Sequence, residues 1–212
     1  MLKTKVLEIG RKIIQTGLVA GTWGNISAWD SSRKGYWITP SGMDYLALSE
    51  EDLVLLSLEN KVLEGERKPS SEYLLHTAIY QSRPGIQAIV HTHSAYATAH
   101  SVSRVALPGL VEDLVMIAGG EVEVAEYYLP GTTQLAQAAV SALGEKNAVL
   151  LANHGLVGVG YSLEEALKVC QVVEKSAQIH VMSRLLGTPV LLSQDDINHM
   201  RNAYQNSYGQ RT

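Results

Sequence analysis

Phenylalanine is missing from all 212 residues of this chain, and aromatic residues together make up only 6% of it. Leu, Val, Ile and Tyr must therefore fill any core. Cysteine occurs once, as Cys170, which excludes an internal disulfide framework and a zinc site built from several thiolates. Near Val169 and Val172, it reads as a small buried hydrophobe. No apolar run approaches the roughly eighteen residues of a membrane span. The opening stretch MLKTKVLEIGRKIIQ mixes charge into its apolar positions and lacks the apolar centre of a secretory leader. Positive charge is not in excess either: 17 Lys and Arg stand against 21 Asp and Glu, a net charge of −4. Nucleic acid and anionic membranes need clustered basic charge, so neither is expected as a main partner. A soluble, cytoplasmic protein is expected.

What is present is enough for a sizeable core, with 46% apolar against 18% charged residues. Val6, Ile9, Ile13 and Gly17 recur at helical spacing, which predicts an amphipathic helix over 2–18. The glycine-rich Gly21-Thr22-Trp23-Gly24-Asn25 turn should lead into a strand, and strands are expected at 36–39 and 53–58. Lys68-Pro69-Ser70-Ser71-Glu72 opens a helix running to about Ser82, with serines suited to the cap and Glu72 in the first turn. Strands are expected at 86–91, 121–128 and 148–151, and helices at 133–143, 162–186 and 193–207. The long helix opens with the capping box of Ser162 and Glu165. With no repeat, low-complexity tract or linker, residues 1–212 read as one mixed α/β domain.

Four residues carry the chemistry: Glu72, His91, His93 and His154. In an extended segment residues two apart share a face, so His91 and His93 present two imidazoles at a strand end. His154 follows a second buried strand, and Glu72 at a helix start can add an oxygen. Three histidines with the fourth position open or held by a carboxylate is a pattern of catalytic zinc. A His-x-His pair also occurs as a purely structural feature, and His154 beside Gly155 suits a turn, so spacing alone does not prove a metal. Gly24-Asn25, Ser41-Gly42 and Ser70-Ser71 offer backbone N–H groups and short donors, the last pair at a helix N-terminus that favours an anion such as phosphate. Turns and caps use these same residues for backbone reasons. Trp23 suits either a pocket border or a packed turn, and His100, His180 and His199 have no partner that the sequence reveals.

Taken together, Gly24-Asn25-Ile26-Ser27, Ile38-Thr39-Pro40-Ser41-Gly42, Lys68-Pro69-Ser70-Ser71-Glu72, Val90-His91-Thr92-His93-Ser94, Gly131-Thr132 and Leu151-Ala152-Asn153-His154-Gly155-Leu156 resemble the class II aldolase/adducin family, in family order across most of the chain. The resemblance implies an α+β fold with a central, mainly antiparallel sheet flanked by helices, assembled as a homotetramer with active sites between subunits. It implies Zn²⁺ held by His91, His93 and His154, with Glu72 as catalytic acid/base able to approach the metal. Mn²⁺ and Co²⁺ are alternatives that imidazole also accepts. Gly24, Asn25, Ser41, Gly42, Ser70 and Ser71 match the pocket for a substrate phosphate. His76, one turn beyond Glu72, matches a family histidine and reads as a group supporting Glu72.

The activity so implied is reversible cleavage of a ketose 1-phosphate to dihydroxyacetone phosphate and an aldehyde. L-fuculose, L-rhamnulose, 5-deoxyribulose and methylthioribulose phosphates all stay open as substrates. The departure is on the aldehyde side. Family aldolases bring a tyrosine from a neighbouring subunit, whereas this chain places Asp113 near that point, a carboxylate reminiscent of the related ribulose-phosphate 4-epimerases. Those epimerases tend to carry Asp where this chain has Glu72, so the aldolase is favoured. Asp113, Tyr127 and Tyr208 are the candidates for the second proton-transfer group. Epimerase, dehydratase and sugar-acid phosphate decarboxylase outcomes are the alternatives, and a non-catalytic adducin-like module is disfavoured because all four site residues are present.

Overall fold

The computed structural model describes residues 2–206, so Tyr208 lies outside the described residues. The chain runs α1 (Leu2–Gln15), β1 (Asn25–Asp30), β2 (Gly35–Ile38), β3 (Val54–Leu56), β4 (Val62–Glu64), α2 (Tyr73–Ser82), β5 (Ala88–Thr92), α3 (Ala95–Ser103), α4 (Glu112–Ala118), β6 (Val124–Ala125), α5 (Thr133–Leu143), β7 (Ala148–Leu151), β8 (Gly155–Gly160), α6 (Leu163–Leu186) and α7 (Gln194–Asn206). The strands form one sheet in the order β4-β3-β2-β1-β5-β8-β7-β6. Every pairing is antiparallel except β6 with β7. This is the central, mainly antiparallel sheet that the resemblance implies. No described helix is long and apolar enough to cross a membrane.

Side-chain alternation sorts the strands between two cores. Ile26 and Ala28 of β1 and Ala88 and Val90 of β5 pack with Val6, Ile9 and Ile13 of α1 and with Val169, Cys170 and Val173 of α6. Ile89, Val157 and Val159 face the other way, against Leu75 and Ile79 of α2 and Leu135 and Ala139 of α5. The same alternation turns Asn25, Ser27 and His91 towards α2. Polar groups thus gather at the end of the sheet that α2 covers.

Several expectations need correction. The strand expected over 121–128 shrinks to Val124–Ala125, because its ladder with β7 ends when Ala152 N–H donates to Ala125 O. Tyr127 is left exposed beyond it. Glu72 is the N-cap residue of α2 rather than part of its first turn. β8 carries no sequence signal of its own because three of its six residues are glycine. Those glycines have a packing reason: a Cβ on Gly158 would stand 2.7 Å from Cys170 Sγ and 2.8 Å from Ala166 O, so their absence lets α6 lie directly on the strand.

Candidate active site

Four segments converge at the α2 end of the sheet. Gly24 holds φ +78°, and a Cβ there would come within 2.6 Å of the His91 carbonyl oxygen, so glycine lets the 21–25 turn press against β5. The Tyr45 hydroxyl secures that turn by donating to Gly24 O at 2.8 Å. Two further loops are laced together: Ser41 N–H donates to Lys68 O and Ser70 N–H to Thr39 O, each at 3.0 Å. This lacing puts Ser41-Gly42 beside Ser70-Ser71. Ser70 Oγ then accepts from Glu72 N–H at 3.3 Å, setting the start of α2. The fourth segment is the turn between β7 and β8, where Asn153 adopts φ +55° and His154 follows.

One cavity of about 580 Å³ collects these residues. Gly24, Asn25, Ser41, Gly42, Ser70 and Ser71 line it together with Glu72, His93, His154, Tyr127 and Trp23. Trp23 is 67% exposed and leans towards His93, ring centroids 5.6 Å apart, so of its two readings the pocket border holds. Ala20 and Pro130 also line the cavity and were not singled out from sequence, while Thr22, Pro40 and Asn153 line it from within quoted motifs in which they were given no role. Asn153 had one available signal, a residue type that tolerates left-handed backbone next to a candidate ligand. Asp113 does not line the cavity of its own chain; on α4 it pairs with Lys175 of α6. His100 and His180, without a visible partner in the sequence, prove to be each other's: His180 Nδ1 and His100 Nε2 are 3.1 Å apart.

Glu72, His91, His93 and His154 can each point one donor atom into a common space, all within 4.8 Å of one another. His91 Nδ1 lies 2.9 Å from Leu156 O and donates to it, which turns Nε2 inward. That Nε2 meets three groups at once: His93 Nε2 at 2.9 Å, His154 Nε2 at 3.3 Å and Glu72 Oε2 at 3.3 Å. A single proton on His91 satisfies one of them, whereas a divalent cation satisfies all. Glu72 Oε1 and His154 Nδ1 are buried with no hydrogen-bond partner among the described residues. The donor set of three imidazoles and one carboxylate suits a transition-metal ion.

For His93 and His154 the electrostatics agree with that donor chemistry. Burial and the neighbouring histidines push His93 down to about 3, and burial and His91 push His154 down to about 4, leaving both neutral with free lone pairs. Burial would raise the Glu72 carboxyl, but the positive charge and hydrogen bond of His91, together with the Asn25 hydrogen bond, overcome it, holding the group well below the carboxylate range. His91 moves up because Glu72 outweighs its burial.

The chain belongs to the family described as Class II Aldolase and Adducin N-terminal domain, which it matches over residues 4–181. A 5-deoxy-D-ribulose 1-phosphate aldolase of Bacillus thuringiensis serovar kurstaki is 39% identical over 209 residues, covering 99% of this chain and 97% of that one. A solved L-fuculose 1-phosphate aldolase superposes with a TM-score of 0.93 at 37% identity, covering 96% of each chain. An L-ribulose-5-phosphate 4-epimerase, UlaF of Salmonella paratyphi B, is 31% identical over 229 residues, covering 99% of both.

Proposed function

We propose that this chain is a metal-dependent class II aldolase, a lyase that reversibly cleaves a ketose 1-phosphate, such as 5-deoxyribulose or L-fuculose 1-phosphate, to dihydroxyacetone phosphate and an aldehyde. The observation that carries the reading is the meeting of Glu72 and three histidines with the Gly24, Asn25, Ser41, Gly42, Ser70 and Ser71 segments around one cavity. His91, His93 and His154, with Glu72 alongside, would hold a divalent metal, Zn²⁺ in our reading with Mn²⁺ and Co²⁺ as alternatives. When bound, that ion supplies Lewis-acid polarisation of the substrate carbonyl.

The chain's own groups do the rest. Backbone and hydroxyl donors of the serine–glycine segments grip the phosphate and fix the reacting carbons. Cleavage breaks the C3–C4 bond and leaves its electron pair on the dihydroxyacetone phosphate half. In the synthetic direction the Glu72 carboxylate takes a proton from that carbon and a second group gives one to the aldehyde oxygen; cleavage runs both transfers backwards, the second group taking the proton of the C4 hydroxyl and Glu72, protonated from solvent, returning one to the carbon. We assign this second role to Asp113, Tyr127 or Tyr208. Since Asp113 stands away from its own cavity, it would reach a neighbouring one, in keeping with a cytoplasmic homotetramer whose sites lie between subunits. We read the whole of 1–212 as a single domain working in this way.

Purified protein assayed on a panel of ketose 1-phosphates tests the proposal. Chelator-sensitive release of dihydroxyacetone phosphate supports it, and the best substrate names the aldehyde. A second reading rests on the 4-epimerase relative and on Asp113 standing in place of tyrosine: metal-dependent inversion at C4 without dihydroxyacetone phosphate release would select it.

A further inference from the structure

Behind Glu72, between the sheet and α2, a line of polar groups starts at the cavity-lining Asn25 and leads away from the cavity and the metal cluster. Asn25 Nδ2 donates to Glu72 Oε2 at 2.9 Å. Its Oδ1 faces His76 Nε2 at 2.5 Å. The other ring nitrogen, Nδ1, lies 2.6 Å from Ser27 Oγ, and Ser27 Oγ lies 2.9 Å from the Tyr80 hydroxyl. His76 and Ser27 are fully shielded from solvent, so no water can stand in for a missing partner.

The proton positions follow from the chemistry of each group. Asn25 Oδ1 is a carbonyl oxygen and only accepts, so His76 Nε2 must carry hydrogen. Burial pushes His76 down to about 3, so the ring is neutral and its Nδ1 has only a lone pair to offer. Ser27 spends its one hydrogen on that lone pair. Tyr80, whose phenol is raised by burial and keeps its proton, donates to Ser27 in turn. The direction Tyr80 to Ser27 to His76 to Asn25 to Glu72 is the only one that satisfies every member.

We propose that this one-way chain orients the Glu72 carboxylate, holding Oε2 so that Oε1 turns towards His154 Nε2, 3.3 Å away, on the side of the cavity, with His76 as its positioning residue. The proposal rests on the reading of Glu72 as the acid/base. His76 acts by deciding which way the Asn25 amide points. Without the ring N–H the amide loses its reason to turn oxygen towards α2, and a flipped amide would set Oδ1 against Glu72 Oε2, two acceptors facing each other with no proton between them.

Neutron diffraction of the full-length protein tests the chain directly, because deuterons on His76, Ser27 and Tyr80 are then visible. Deuterium on His76 Nε2 and none on Nδ1 is expected; the reverse overturns the proposal. Kinetics supply the second arm. His76→Leu fills the space without a donor, and kcat for cleavage should fall about 10- to 100-fold, the usual cost of losing such a supporting partner, with KM and bound metal unchanged. His76→Gln returns an amide N–H near the Nε2 position and should recover most of that loss. Equal losses in the two variants, wild-type turnover in His76→Leu, or a parallel loss of metal would each overturn the positioning role. If His76→Leu does not fold, the neutron result on the unaltered chain decides. A wild-type protein that cleaves nothing on the panel would reject the aldolase reading, while the deuteron positions still report on the chain by themselves.

Discussion

Asn25 and His91 stand directly opposite each other in the β1–β5 ladder. One rung of the sheet therefore carries both the amide that donates to Glu72 and the imidazole that faces Glu72 Oε2. The carboxylate reaches down from the start of α2 and meets both. Because the two partners are set by antiparallel pairing rather than by loops, the spacing around Glu72 is as rigid as the sheet itself.

This rigidity has a consequence for metal binding. A preformed set of donors that binds an ion in the folded state alone stabilises that state as the ion is added. Protein stripped with chelator should melt at a lower temperature than untreated protein, and Zn²⁺ should restore it. His93→Ala removes one donor and should weaken Zn²⁺ at least by the roughly 10- to 100-fold typical of losing an outer partner. Thermal melts with and without Zn²⁺, together with measured metal content, check both. Equal Zn²⁺ affinity in wild type and His93→Ala would remove His93 from the site.

Asp113 separates a surface ion pair from a catalytic group. Its visible contact is with Lys175, and both side chains are nearly half exposed. A pair of that kind contributes within about 1 kcal/mol, so Asp113→Asn should fold normally and bind metal as wild type does. If Asp113 serves a neighbouring site, turnover should nonetheless fall by about 100-fold, the scale of one general acid or base. Unchanged turnover leaves Tyr127 and Tyr208 as the candidates.

The parts of this architecture that were legible in the sequence are those with one dominant local cause. α5 and β7 were expected at their observed bounds, because an alanine-rich run and a bounded apolar tetrad each admit one reading. The convergence of Glu72 with the histidines was legible through the pattern of motifs. β4, β8, α3 and α4 were not. β8 is glycine-rich for the sake of α6, and α3, AYATAHSVS, lacks a clear apolar stripe, so tertiary packing rather than propensity decides them. Of the chain behind Glu72, His76 was legible one helical turn away, but its continuation was not: Ser27 and Tyr80 are ordinary strand and helix residues until the fold stacks one over the other.

Asp52 gives a pH-dependent prediction away from the site. Ser49 N–H and Ser49 Oγ donate to its Oδ2 at 3.0 and 2.8 Å, and Arg67 Nε donates to Oδ1 at 2.9 Å. These bonds, the backbone one foremost, hold its carboxyl below the ordinary aspartate value of 3.8. A group depressed on folding contributes stability above its unfolded pKa and loses it as pH falls through the folded one. Asp52→Asn should therefore melt below wild type at neutral pH, and the gap should close as pH drops below about 4. Melting curves from pH 7 to pH 3 test this; a gap that stays constant over the range would mean that the charge on Asp52 is not what stabilises the Ser49 turn.

Gly158 tests whether α6 is truly seated on β8. An added Cβ would stand 2.7 Å from Cys170 Sγ, 2.8 Å from Ala166 O and 3.2 Å from Val169 Cγ1, and the backbone oxygen cannot rotate aside. Relief requires the helix to lift from the strand, in a core where Cys170, Val169 and Val157 are fully buried. Overpacking of this kind costs about 1–3 kcal/mol, so Gly158→Ala should unfold at a lower urea concentration with an unchanged slope. Adding Cys170→Ala to that variant removes the sulfur but not the Ala166 carbonyl, so it should recover only part of the loss. Full recovery would show that the sulfur alone sets the spacing between strand and helix, and no loss in the single variant would show that α6 does not lie this close.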